Sequence, residues 1–323
     1  MDWTRLEVSG RVTAVQRGIC AGVTAEGTVF TAQLRLPHLR PTTYDDVLVD
    51  SFGVLGVAPG DETWLTGRGA DGRLHLWSSG DDATVEAHSL YDIDAMWAAP
   101  TLDTGTELLL TAHLTDGDWR LRTFDRRSAM AGGLQKVSDL VLAGSPDAGL
   151  TVGCPVKEPL VVAGRLGESG SASAWALGES AWRRVHLAPT PTALTSVAYA
   201  WGGRHTWIGG VADGRAVVYE LLPLPFRGPL RTTPVPMPTL ELVALPEGHG
   251  RPLVVVDDVV GDVPLVVAAM SRGNRLCWHD GSEWKALPAP DGPLRAACVS
   301  GGAVHLLVGD SLWSIEDPLG ISG

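Results

Sequence analysis

The sequence predicts an all-β protein built from seven copies of a four-stranded antiparallel unit. The main observation is a glycine turn followed three to seven residues later by an aromatic residue at the end of an apolar alternation. Successive aromatics are separated by 47, 47, 51, 44, 59 and 35 residues, and these intervals surround the repeat length expected for four-stranded units. The seven pairs are Gly27 with Phe30, Gly72 with Trp77, Gly117 with Phe124, Gly170 with Trp175, Gly214 with Tyr219, Gly273 with Trp278 and Gly309 with Trp313.

The strands of each unit are located from its glycine turn. Glycine takes the positive φ of a tight hairpin, and the alternating residues after it place apolar side chains on one face of a strand. The second unit shows all four strands, at 54–59, 62–68, 73–79 and 83–89. The sixth unit has apolar segments at 241–248, 252–260 and 263–270 before its turn, one more than the pattern needs, and the register of this extra strand is not assigned by the sequence.

The two ends of the chain complement each other. The opening stretch "DWTRLEVSG" resembles "AWRRVHLAP" (181–189) and "EWKALPAP" (283–290), which are fourth strands of their units. The last unit supplies strands at 293–300, 303–309 and 311–317 and then ends, so it lacks a fourth strand. We therefore expect residues 1–9 to complete the last sheet, which covers an edge that is otherwise open to pairing.

Repeat length, turn positions and this closure resemble the seven-bladed β-propeller superfamily over the entire chain, without a signature of one particular family. The resemblance implies one domain, 1–323, with residues 1–9 as the outer strand of the last blade. The blades are expected at about 10–50, 51–91, 92–138, 139–189, 190–238, 239–290 and 291–318. Within 126–144, apolar residues at near-helical spacing predict a short helix between the third and fourth blades.

Composition narrows the function classes. A net charge of −12 and a pI near 5.1, without a basic run, argue against nucleic-acid binding. The most apolar stretch, 252–270, contains three aspartates, which argues against a membrane-spanning helix. The N-terminus has no apolar signal region, so we expect a cytoplasmic protein, and 22 Arg against 3 Lys indicates GC-rich codon usage and a bacterial source. The four cysteines form no C-x-x-C pair, so neither a metal site nor a cofactor is predicted, and four buried reduced thiols are expected.

The catalytic candidates are Tyr91, Asp92 and Asp94. Residues i and i+2 of a strand point to one side, so the two carboxylates would lie together near the mouth of the central channel that the resemblance implies. Paired carboxylates serve as acid and base or bind a cation. The alternative, which we prefer, is that Asp92 ends a loop, that Asp94 caps or pairs with an arginine of a neighbouring blade, and that neither does chemistry, since most acidic loop residues are solvated or structural.

The ligand-binding candidates are Asp257 and Asp258. As neighbours in a strand they point to opposite faces and cannot form a dyad, so one of them would face the interior or the channel. Burying a lone carboxylate is costly, which favours a structural pairing or a bulge. The twelve Trp residues allow a sugar-stacking interpretation, but their regular positions favour packing between blades.

Three functions stay open. The first is a soluble binding or scaffold protein that presents one face or its central funnel to a protein or a small molecule. The second is a lyase, hydrolase or cyclase acting on a small metabolite in the funnel, and the third is a repeat-built lectin. One fold hosts all three classes, so the functional site must decide between them.

Overall fold

The structure is a computed structural model of the 323-residue chain. It describes residues 2–16, 18–34, 39, 41–49, 53–57, 63–70, 74–79, 85–90, 95–96, 108–115, 118–125, 136–143, 150–153, 161–165, 172–177, 182–199, 206–213, 215–221, 232–235, 253–256, 264–270, 273–279, 284–300 and 302–316. Strands account for nearly all of the secondary structure in these ranges, and no helix occurs in them.

The described strands form seven four-stranded antiparallel sheets, and six of them are made of strands consecutive in the chain. We number the sheets in chain order and the strands of each sheet from first to fourth. Sheet 1 contains β2 (Arg11–Gln16), β3 (Ile19–Val23), β4 (Val29–Gln33) and β5 (Thr42–Tyr44). Sheet 2 contains β6 (Gly53–Val57), β7 (Thr63–Arg68), β8 (Leu74–Ser79) and β9 (Val85–Leu90). Sheet 3 contains β10 (Ala95–Met96), β11 (Leu108–Thr115), β12 (Asp118–Asp125) and β13 (Lys136–Ala143).

The remaining sheets follow the same order. Sheet 4 contains β14 (Leu150–Gly153), β15 (Val161–Arg165), β16 (Ala172–Leu177) and β17 (Trp182–Val185). Sheet 5 contains β18 (Ala193–Tyr199), β19 (Thr206–Ala212), β20 (Arg215–Leu221) and β21 (Thr232–Val235). Sheet 6 contains β22 (Leu253–Val256), β23 (Pro264–Met270), β24 (Gly273–His279) and β25 (Trp284–Pro288). Sheet 7 contains β26 (Leu294–Ser300), β27 (Ala303–Val308), β28 (Ser311–Glu316) and β1 (Thr4–Leu6).

Sheet 7 joins the two ends of the chain. The strand β1 pairs antiparallel with β28, in the register Thr4 to Ser314, Arg5 to Trp313 and Leu6 to Leu312. The fourth strand of this sheet therefore comes from the beginning of the chain, whereas its first three strands come from the end.

The repeated aromatic occupies one position in the architecture. Every one of the seven lies on the third strand of its sheet, after the turn that connects the second strand to the third. Their environments differ: Phe30, Trp77 and Tyr219 are buried, whereas Trp175, Trp278 and Trp313 are half-buried. Packing between sheets therefore accounts for the buried aromatics, but only in part for the half-buried ones.

The helix expected within 126–144 is wrong for the part that the structure describes. Residues 136–143 form β13, the fourth strand of sheet 3, and 126–135 lie outside the described residues. The β-branched Val137 and Val141 favour an extended backbone, and pairing with β12 supplies the hydrogen bonds that a helix would have made internally. The boundary expected at residue 138 lies within this strand.

The chain divides into two compact units. The first comprises Met1–His113, Thr123–Lys136 and Arg295–Gly323, and the second comprises Leu114–Arg122 and Val137–Leu294. In the first unit, one core cluster joins sheets 1 and 7 through residues such as Val12, Phe30 and Leu307. In the second unit, alternate residues of β16 pack with Ile208 and Tyr219 of sheet 5. Alternation along each strand thus directs one set of side chains into the space between neighbouring sheets.

Glycine is required where the backbone of sheet 1 is tightly packed. Gly10 has φ +146, and a Cβ atom there would meet the carbonyl oxygen of Val23. A Cβ on Gly22 would meet the carbonyl oxygen of Arg11. Both positions let the start of β2 lie against β3 without a side chain between them.

Among the described residues, the structure contains no helix of the length and apolarity that crossing a membrane demands.

Candidate functional site

Two pockets lie at equivalent places in sheets 4 and 7. Each is formed by the beginning of the third strand, the end of the fourth strand and the loop that follows the fourth strand. The sheet-4 pocket has a volume of about 280 Å³ and belongs to the second unit. The sheet-7 pocket has a volume of about 430 Å³ and belongs to the first unit.

The polar centre of the sheet-4 pocket is an arginine fixed by a serine. The guanidinium of Arg184 donates a hydrogen bond of 2.8 Å from Nη2 to Oγ of Ser173. Arg184 is exposed, whereas Ser173 is buried. Val185 and Leu187 supply apolar wall. A few fixed polar groups beside an apolar wall are the usual composition of a small-molecule site.

The loop at 186–192 that forms one side of this pocket is held at three places. The Ala172 amide donates to the Pro191 carbonyl at 3.0 Å, and the Thr192 amide donates to the Val211 carbonyl at 2.7 Å. The hydroxyl of Tyr219 donates to the Pro189 carbonyl at 2.6 Å. Burial raises the pKa of Tyr219, and the nearby charge of Asp213 raises it further, so this hydroxyl stays a donor. The pocket is therefore preorganised.

We expect Tyr219→Phe to lower the free energy of unfolding by about 1 kcal/mol, because it leaves the Pro189 carbonyl without its buried donor. Amide hydrogen exchange within 186–192 should also become faster, which mass spectrometry measures by peptide. Tyr44→Phe is the matched control, since it removes a buried hydroxyl contact to Thr31 Oγ1 at 3.0 Å in sheet 1. If both variants leave exchange at 186–192 unchanged, Tyr219 does not position this loop.

The sheet-7 pocket has an arginine in the same position. Arg5 is exposed and forms no ion pair or hydrogen bond within the described ranges. The adjoining carboxylates are Glu7, which is exposed, and Asp310, which pairs with Arg295 at 3.0 Å. Leu6, Val8 and Leu312 supply the apolar wall.

The strand register shows that the two pockets are equivalent. Trp175 of β16 pairs with Arg184 of β17, and Trp313 of β28 pairs with Arg5 of β1. Directly paired residues lie on the same face of a sheet, so each arginine lies beside the aromatic of its third strand. A serine precedes each Trp by two residues and shares that face, namely Ser173 and Ser311.

Sheet 6 has a variant of this pattern. Trp278 pairs with Lys285, and the position two residues before the Trp is the buried Leu276 instead of a serine. The loop after β25 is fastened by Asn274, whose side-chain amide donates to the carbonyls of Pro290 at 2.6 Å and Gly292 at 3.0 Å. Sheet 6 therefore keeps the aromatic and the positive charge but not the serine and guanidinium.

The structure does not describe the site residues expected from the sequence. Tyr91, Asp92 and Asp94 fall between β9 and β10, and Asp257 and Asp258 follow β22; all five lie outside the described residues. Neither pocket was predicted from the sequence, although "DWTRLE" and "AWRRVH" are similar. The shared W-x-R of the fourth strands and S-x-W of the third strands are the signals that locate them.

The described cysteines are structural. Cys20, Cys277 and Cys298 are buried free thiols, as expected from the sequence, and Cys154 lies outside the described residues. Burial raises the pKa of Cys20 to about 12, of Cys277 to about 11 and of Cys298 to about 12, which makes these thiols poor nucleophiles. Within the described ranges, His, Cys, Asp and Glu form no group of three placed to hold a metal ion.

Comparison with known proteins gives a fold and no family. No family model matches the chain, and no curated protein matches it. Among solved structures, the chain is similar to an acylaminoacyl peptidase from Pyrococcus horikoshii, with a TM-score of 0.56 and 6% identity over 95% of this chain and 52% of the peptidase. The chain thus spans about half of that enzyme.

Two further structures match over nearly the whole chain. BBS1N in complex with ARL6DN has a TM-score of 0.55 and 10% identity, covering 98% of this chain and 97% of BBS1N. A variant of the Aleuria aurantia lectin AAL in complex with Fucalpha1-6GlcNAc has a TM-score of 0.51 and 12% identity, covering 87% of this chain and 97% of the lectin. The fold is a β-propeller. At these identities the propeller likeness carries no activity with it.

Proposed function

We propose that the chain is a single seven-bladed β-propeller, with sheets 1 to 7 as its blades and β1 as the outer strand of the last blade, and that it acts as a binding protein. The order of the strands supports this arrangement, because six sheets are consecutive in the chain and sheet 7 combines both ends. A propeller of this kind covers its sheet edges and offers a rigid platform for ligands.

The observation that carries the binding role is the pair of equivalent pockets. Both combine an exposed arginine, a serine and an apolar wall, and both lie where the loop after the fourth strand meets the third strand. A catalytic centre is usually one constellation of residues, whereas a site repeated by sheet is typical of recognition. The related folds whose structures contain a partner protein or a sugar are consistent with this role.

Affinity purification of the full-length tagged chain tests this proposal. The wild type, the double variant Arg5→Ala/Arg184→Ala and the control Lys285→Ala are purified from the native lysate, and mass spectrometry identifies bound proteins and small molecules. We expect the wild type and Lys285→Ala to retain the same molecule and the double variant to lose it at least tenfold, because charge-assisted hydrogen bonds contribute about 1.5–3 kcal/mol each. Equal retention by the double variant would contradict the proposed site.

A further inference from the structure

The two pockets present one set of recognition groups in two electrostatic settings. The shared groups are a guanidinium, a serine hydroxyl and aliphatic side chains. The neighbouring side chains differ, since Glu7 and Asp310 adjoin Arg5 whereas His186 adjoins Arg184. A ligand that fits both pockets must therefore be recognised through hydrogen bonds and apolar contact, and not through its net charge.

Electrostatics disfavour an anionic ligand. The chain carries a net charge of −12, which repels anions at long range, and the exposed Glu7 would lie next to an anion in the sheet-7 pocket. The Asp310 carboxylate already forms an ion pair with Arg295, so it does not require a cationic ligand. A neutral ligand avoids both the long-range repulsion by the net charge and the local repulsion by Glu7.

Size and donor geometry narrow the ligand further. Volumes of about 280 and 430 Å³ are near the small end for ligand pockets and fit one or two rings. A guanidinium presents several N–H donors in a fixed plane, and a serine hydroxyl both donates and accepts. The matching ligand has several oxygen acceptors on one side and an apolar C–H surface on the other, which is the chemistry of a sugar ring.

We propose that the sheet-4 and sheet-7 pockets are duplicate sites for one neutral sugar residue, so that a single chain binds two copies of the ligand. Arg184 and Arg5 hold the ring oxygens or hydroxyls, Ser173 fixes Arg184, and Ser311 lies on the same face of its sheet as Arg5. This inference rests on the binding role proposed above and adds the ligand class and the number of sites.

Isothermal titration calorimetry and ligand-observed NMR on the full chain test the inference. The probes are D-glucose, D-galactose, D-mannose, L-fucose and N-acetyl-D-glucosamine, each at up to about 10 mM, a range that detects millimolar dissociation constants. D-Glucuronate is the anionic counterpart. We expect at least one neutral sugar to bind two sites per chain, and D-glucuronate to bind at least tenfold more weakly than D-glucose where D-glucose binds.

The variants assign the sites. Arg5→Ala and Arg184→Ala should each leave one site with unchanged affinity, and the double variant should bind at least tenfold more weakly at both. Lys285→Ala should leave both sites intact, since sheet 6 lacks the serine and the guanidinium. Arg184→Lys keeps the charge but not the planar donors, and should also weaken its own site.

Other results overturn the inference in distinguishable ways. If no neutral sugar binds, or if D-glucuronate binds more tightly, the sugar class is wrong. When affinity purification nevertheless loses its bound molecule in the double variant, the binding role stands and only the ligand class falls. If neither sugars nor captured molecules respond to the double variant, the binding role at these pockets falls as well.

Discussion

Between pH 7 and pH 4 the protein should lose about 3 kcal/mol of stability that a His305→Leu variant does not lose. His305 is in the interior of β27, is 2% exposed, and is paired with the buried Ser314 of β28. Neither ring nitrogen makes a hydrogen bond of ordinary geometry to the residues that the structure describes. Burial lowers the pKa of His305 from 6.5 to about 4, and the Ser300 backbone offsets a smaller part of that shift.

The direction of the change in stability with pH follows from proton uptake by the unfolded chain. The unfolded chain takes up a proton at this histidine once the pH falls below about 6.5, whereas the folded protein does not until the pH approaches 4. The unfolded state therefore binds more protons in this window, and stability falls as the pH falls through it. Well above pH 6.5 the imidazole is neutral in both states, and it contributes almost no pH dependence there.

Urea unfolding at pH 7.5, 6.5, 5.5 and 4.5 measures the effect, with circular dichroism and Trp fluorescence as probes. Other groups titrate in this range too, so the quantity of interest is the difference between wild type and variant. His305→Gln is the second variant, because it keeps a polar side chain without an acid titration. A constant difference from pH 7.5 to 4.5 would show that His305 is not the buried neutral group described here.

The alternation of apolar residues and the glycine turns predicted much of the fold, because the turns fix which segments become adjacent strands. All seven repeated aromatics lie on third strands for this reason. The prediction of a helix was wrong at 136–143, since Val137, Leu140 and Val141 fit both a helical stripe and a strand. Long-range pairing decides between the two, and no local pattern contains that information.

The candidate site was harder to predict for a different physical reason. Ser173 and Arg184 come together through the register of β16 and β17, and Arg5 meets β28 from the opposite end of the sequence. A one-residue change in either register would direct the arginine to the other face. The regular positions of the twelve Trp residues favoured packing between blades for all of them. The structure distinguishes them by burial, because Trp77 lies in the core whereas Trp175 and Trp313 are half-buried.

Deleting residues 1–9 should lower the free energy of unfolding by about 3 kcal/mol or more and shift the melting temperature down by several degrees. The deletion removes the strand β1 and its pairing with β28. It also removes Leu6 and Val8, which pack against the core between sheets 1 and 7. Half-buried aliphatic side chains and strand hydrogen bonds contribute about 1 kcal/mol each, which gives this magnitude after part is offset by chain entropy.

Point variants and complementation separate the causes. Leu6→Ala should cost about 1 kcal/mol through lost packing, whereas Thr4→Ala, at an exposed position of the same strand, should cost almost nothing. The open edge of β28 should make the truncated chain associate with itself at high concentration, which light scattering detects. A synthetic peptide of residues 1–9 should raise the melting temperature of the truncated chain by restoring the fourth strand. A truncated chain that melts like the full one, with or without the peptide, would show that β1 is dispensable and that the last blade is complete without it.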